Sequence, residues 1–170
     1  MLRDPTMDAV TLLALKREHL KRLTNQKGAA GERAVLGANA HFIPRPTGKA
    51  LANLLTVLAE TGVRIKRTSF DAIALPEPMI VDYFDTEQLR KIVDLMTFIE
   101  IKTANQGRVR ADFSGYFFAF TEGEIEAAEA LGNRHKVMLN NNLTGETLLS
   151  SVPELLVRAR STTWQLSIQL

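Results

Sequence analysis

The chain contains no cysteine, one tryptophan, two tyrosines and eight phenylalanines in 170 residues. The missing thiols exclude a disulfide framework, a thiolate metal site and a cysteine nucleophile. No apolar run approaches the roughly 20 residues that a membrane helix needs, so no membrane partner is expected. Met1-Leu2-Arg3-Asp4-Pro5 opens no apolar stretch of the signal-peptide kind, and a cytoplasmic protein is expected. Net charge is also scarce, at +2, yet its distribution is uneven. Residues 1–70 carry 12 basic and 5 acidic side chains, and residues 71–170 carry 9 basic and 14 acidic. Such asymmetry suggests a basic surface on the N-terminal half, although exposed helices also carry many charges.

The 45% apolar content and the length suit one domain with a real core. Its order reads as a mostly helical part over 1–62, a sheet core over 63–140 and an extension over 141–170. Helical spacing of Val10, Leu13, Leu20 and Leu23 predicts a helix over 7–24. A helix rich in small residues follows over 29–41. Thr47 can cap a third that runs to about Glu60, with Leu51, Leu54, Leu55 and Leu58 as its buried stripe. Alternation then predicts strands at 63–67, 69–75, 79–84, 97–103, 116–120 and 136–139. Helices are predicted at 86–96, with Asp85 or Thr86 as cap, at 122–131 and near 153–160; a short strand accompanies the last. Residues 104–115 read as a polar loop and 140–142 as a turn. Helices followed by strands mixed with helices predict an α/β domain with a mixed sheet flanked by helices.

Phe98-Ile99-Glu100-Ile101-Lys102 is the most informative segment. Side chains alternate along a strand, so Glu100 and Lys102 share one face while Ile99 and Ile101 enter a core on the other. Alone, this is also the pattern of any half-exposed strand. Asp71, however, interrupts an apolar strand, and burying a carboxylate is costly unless a metal or partner neutralises it. Asp82 lies in an apolar stretch too and competes with Asp71 as a first acid. Glu32 sits in the small-residue helix, where an exposed helix acid is the ordinary reading.

Together Gly31-Glu32-Arg33-Ala34-Val35-Leu36-Gly37, Ser69-Phe70-Asp71-Ala72-Ile73-Ala74-Leu75 and Phe98-Ile99-Glu100-Ile101-Lys102-Thr103-Ala104 resemble the PD-(D/E)XK nuclease superfamily. The aromatic stretch 116–120, the acidic helix and the strand after it are similar to the restriction-endonuclease-like domain named for the plant protein NO VEIN. The sequence departs from the family motif at Phe70, where a proline would precede the first acid, and 29 residues separate Asp71 from Glu100.

The resemblance implies a restriction-endonuclease-like core and metal-dependent hydrolysis of DNA phosphodiester bonds by a restriction-type endonuclease. It makes Asp71, Glu100 and the Ile101 carbonyl the metal ligands, places Lys102 beside the attacking water, and gives Glu32 an outer or second-metal role. Oxygen ligands suit Mg²⁺, with Mn²⁺ as substitute; the ion polarises the phosphate and lowers the pKa of bound water. A lysine there can orient or deprotonate the water and stabilise developing charge. Lys16, Arg17, Lys21, Arg22, Lys27, Arg64, Lys66, Arg67, Arg108 and Arg110 then become candidate phosphate contacts. Two active sites are usually needed to cut both strands, so a homodimer is plausible. The alternative is an inactive nuclease-like domain that binds nucleic acid or a protein.

Other features carry less. His19, His41 and His135 show no metal spacing and are expected in surface or capping roles. Thr47-Gly48-Lys49 is not a phosphate-binding loop, because the G-x-x-x-x-G-K-[ST] string is absent. Tyr116, Phe117, Phe118 and Phe120 could stack on bases, but alternate core packing is the simpler expectation.

Overall fold

A computed structural model of the chain describes residues 30–33, 35–37 and 41–163. Helical residues 30–33 and 35–37 (α1) are followed by β1 (Phe42–Pro44), α2 (Gly48–Glu60), β2 (Ala72–Ala74) and α3 (Thr86–Ile92). Next come β3 (Thr97–Ala104), α4 (Glu122–Leu131), β4 (His135–Asn141), β5 (Thr147–Ser150) and α5 (Val152–Arg158). The strands form one sheet in the order β1-β2-β3-β4-β5. Every pairing is antiparallel except β3 with β4, which is parallel. A parallel pair needs a long crossover, and the loop after β3 together with α4 supplies it. The chain is therefore an α/β protein with a mixed, helix-flanked sheet.

Both faces of β3 are covered. On one, Ile99 and Ile101 pack with Ala72, Met138 and Val35 of α1. Gly31 permits this close approach: a Cβ there would lie 2.3 Å from Thr103 Cγ2. On the other face Phe98 and Ile73 meet Leu54 and Leu58 of α2, Leu89 of α3 and Leu131 of α4. Further along that face Ala104, Val137 and Leu139 pack with Val109, Phe113 and Val152. Glu100 and Lys102 lie between these two apolar clusters.

Local signals account for the helix ends. Asp85 caps α3 by accepting from the Gln88 N–H. Thr121 and Glu124 cap α4 reciprocally, as Ser151 and Glu154 cap α5. Thr47 stands at the N-cap of α2 without a side-chain bond to it.

Several predicted strands are absent. Residues 63–67 are irregular, although Val63 and Ile65 still pack on the core. Residues 79–84 form no strand: Pro78 interrupts, Asp82 bonds the Phe84 N–H, and Ile80 is 92% exposed. Residues 116–120 show real alternation, since Tyr116, Phe118 and Phe120 pack inward while Phe117 is exposed. They have no partner strand among the described residues, and the period of two builds an aromatic step rather than a ladder. The sheet also reaches beyond 63–140, because β1 and β5 join it from either side. Helix 86–96 ends early, at Ile92, and closes as a 3₁₀ turn over Val93–Leu95. The predicted helix 7–24 lies outside the described residues.

Candidate functional site

Asp71 immediately precedes the first residue of β2. The ladder pairs Ala72 with Ile99, yet the Asp71 N–H also donates to the Ile99 carbonyl at 2.8 Å. Two residues thus address one, the offset of a β-bulge. The offset turns the Asp71 side chain toward β3, where its Oδ2 accepts the Ile101 N–H at 2.9 Å. A carboxylate has taken the place of the next ladder carbonyl. The N–H and C=O of a strand residue point to the same side, so the Ile101 carbonyl also faces the side that β2 has vacated.

One step along β3, Lys102 Nζ stands 2.8 Å from Glu100 Oε1 and 2.8 Å from Glu124 Oε2. The two acids are buried, at 5% and 6% exposure. The Phe120 ring centroid is 5.4 Å from the ammonium. Glu100 Oε2 is buried and has no hydrogen-bond partner among the described residues. Such orphaned atoms are rare in folded proteins and call for a missing partner, water or ion.

Burial, then Asp71, then Glu124 push the Glu100 carboxyl up to about 8 against the opposing pull of Lys102. Asp71 is also raised, chiefly by burial; the Ile101 N–H, Arg45 and Lys102 oppose the shift. Glu32 on α1 belongs to the same field: burial and Asp71 raise it, while Arg45 and Arg33 lower it. Burial works against the Lys102 charge, but Glu100 and Glu124 outweigh it and hold its pKa above the usual lysine value. Four carboxyls (Glu32, Asp71, Glu100, Glu124) therefore share a field with three cations, Arg33, Arg45 and Lys102.

Whether these residues suit a divalent cation can be judged from the donors. Among the described residues no three His, Cys, Asp or Glu form a group that could hold a metal. Mg²⁺ does not require three, since it commonly takes one or two carboxylates and keeps several waters. Glu100 Oε2, the Asp71 carboxylate and the Ile101 carbonyl are oxygen donors of the right kind, and Glu100 Oε2 has no other partner among the described residues.

The structure thus brings Asp71, Glu100, Ile101, Lys102 and Glu32 into one electrostatic neighbourhood. Asp82 is not part of it: exposed, it bonds its own turn. Arg64, Arg67, Arg108 and Arg110 are exposed, with Arg108 bonded to Gln106. Lys66 is paired to Glu126 at 2.8 Å and Glu122 at 3.6 Å on α4. Lys16, Arg17, Lys21, Arg22 and Lys27 lie outside the described residues.

Three residues were not anticipated. Glu124 reads in sequence as half of a capping box, with nothing to show that it reaches Lys102. Arg45 follows β1, which the two prolines around it conceal; its Nη1 donates to the Phe70 carbonyl at 2.6 Å and its N–H to the Asp71 carbonyl at 2.9 Å. His135 is fully buried at the start of β4, not on the surface, and neither ring nitrogen has a hydrogen-bond partner among the described residues. Burial lowers its pKa, and the nearby Ser69 backbone only partly offsets that. Comparisons with family models, curated proteins and solved structures find no match to this chain.

Proposed function

We propose that this chain is a metal-dependent nuclease domain of the PD-(D/E)XK type that hydrolyses DNA phosphodiester bonds. The observation that carries the reading is the unpartnered, buried Glu100 Oε2 beside Asp71, with Lys102 on the same strand face. Asp71, Glu100 and the Ile101 carbonyl would hold Mg²⁺ or Mn²⁺. When bound, the ion polarises the scissile phosphate and acidifies a coordinated water. Lys102, held cationic by its acids, would orient the attacking water and face the negative charge that develops on the phosphoryl oxygens. In such a hydrolysis the water oxygen would bond to phosphorus and lose its proton to solvent, while the bond to the leaving sugar oxygen breaks and that oxygen takes a proton from solvent.

Arg45, anchored on the Phe70 carbonyl, adds a positive charge beside Asp71 and Glu32. A homodimer remains part of the proposal only for double-strand cutting. The second reading, a domain that binds without cutting, draws on one observation: both neighbouring acids engage the Lys102 ammonium, as a purely structural ion network would.

Supercoiled plasmid incubated with the chain and Mg²⁺ or Mn²⁺ separates the two. Metal-dependent nicking that falls by at least about a hundredfold in both Glu100→Ala and Lys102→Ala supports catalysis, given the usual weight of such groups. Nicking unchanged in either variant sinks the assignment. Binding without any nicking favours the second reading.

A further inference from the structure

Glu124 carries a charge that its local role does not explain. It is the N3 residue of α4, where its N–H donates to Thr121 Oγ1 at 3.3 Å and its Oε2 accepts the Thr121 N–H at 3.0 Å. A glutamine would complete the same box. A glutamine would also avoid the cost of burying a carboxylate, and this residue is only 6% exposed. On the outer side of the helix, Glu122 and Glu126 are exposed and take Lys66. Among the described residues, the cation that meets the buried carboxylate at position 124 is the Lys102 ammonium, 2.8 Å from Oε2.

Lys102 has a second acid at the same distance, Glu100. An ammonium and a metal ion compete for the same carboxylate. With Glu100 as its sole acid, Lys102 would settle across that carboxylate and oppose any cation there. We infer that Glu124 is a positioning residue that holds the Lys102 ammonium when Glu100 is given over to a divalent cation. The mount is stiff. Ala127 and Leu131 fix α4 in the core, the capping box fixes the Glu124 backbone, and the Phe120 ring lies beside the ammonium. One carboxylate thus closes the first turn of a helix and keeps the lysine of β3 in register with the acids.

This inference rests on the metal site proposed above, and its test does not need catalysis. Thermal unfolding of the full chain is followed by circular dichroism at fixed pH against increasing MgCl₂. It compares the wild type, Glu124→Gln, Lys102→Gln and the double variant. Glutamine at 124 keeps the cap and removes only the charge. The apparent Mg²⁺ affinity is expected to fall about tenfold in Glu124→Gln, within the usual range for contacting pairs. In the Lys102→Gln background the same change is expected to alter affinity less than about twofold, because no ammonium remains to be held. Should Lys102→Gln not fold, Lys102→Met takes its place in the cycle. Equal losses in both backgrounds mean that Glu124 acts only through general negative charge and overturn the inference. So does an unchanged affinity in Glu124→Gln. A wild type whose unfolding ignores Mg²⁺ overturns the metal site itself, and the inference with it.

Discussion

Glu100→Gln is the most direct probe of the buried acids, because it removes a charge while changing almost no volume. A carboxyl held at about 8 instead of 4.5 has an environment that favours its neutral form by about 5 kcal/mol at most. Since the folded-state value lies above the unfolded one, this group's contribution to stability is fully present below pH 4.5. It is lost progressively as pH rises through about 8. Glutamine never ionises and escapes that loss. It also gives up the ion pair with Lys102, which then keeps Glu124 alone. The net gain in the metal-free variant at pH 9 is therefore expected to be about 2 kcal/mol, or about 4–8 °C in Tm for a chain of this size. At pH 4.5 the wild-type carboxyl is protonated and the gain should vanish. The assay is thermal unfolding in EDTA at both pH values, followed by the same scans in Mg²⁺. Mg²⁺ at a hundred times its Kd should stabilise the wild type by about 2.7 kcal/mol and leave Glu100→Gln unmoved. A variant that is no more stable than wild type at pH 9, or equally more stable at both pH values, would refute the account of Glu100 as a strained buried acid.

Gly31→Ala places a Cβ within 2.3 Å of Thr103, so α1 must move away from β3. A loss of about 1–3 kcal/mol in urea unfolding is expected, together with weaker Mg²⁺ stabilisation if Glu32 contributes to the field around Asp71. Asp85→Ala removes the acceptor for the Gln88 N–H at the start of α3. It should cost about 1 kcal/mol and leave the Mg²⁺ response unchanged, since nothing at that cap touches the acids.

Some elements were legible because their signals are local. Helices α2, α3 and α4 follow from apolar spacing and caps, and β3 from its dense β-branched run. The alternation in Phe98-Ile99-Glu100-Ile101-Lys102 correctly separates Ile99 and Ile101 from Glu100 and Lys102. It does not reveal that the second face is buried as well, because α4, more than twenty residues away, closes over it. Residues 63–67 and 79–84 alternate without becoming strands because alternation reports which side chains face inward, and pairing needs a free sheet edge. Conversely β1, three residues with a proline at its end, shows no periodicity at all; only its pairing with β2 makes it a strand. Glu124 and Arg45 escaped notice for the same reason. Each has an ordinary local reading, and long-range placement alone brings it to the acids.

The way β2 begins ties the fold to the proposed chemistry. A strand that started before Ala72 in register would use backbone carbonyls to satisfy the Ile101 N–H and would cover the Ile101 carbonyl. The bulge at Asp71 instead substitutes a side-chain oxygen for a ladder oxygen. One feature then has three effects. It ends the pairing, holds the Asp71 carboxylate against β3 despite its burial, and leaves a main-chain carbonyl facing the same vacancy. The bulge also explains why a carboxylate is tolerated at this point of an apolar strand. Phe70 turns into the core and Arg45 clamps the carbonyls of both Phe70 and Asp71. The acid is thus fixed by its backbone before any ligand arrives, and its charge is left for the site to neutralise.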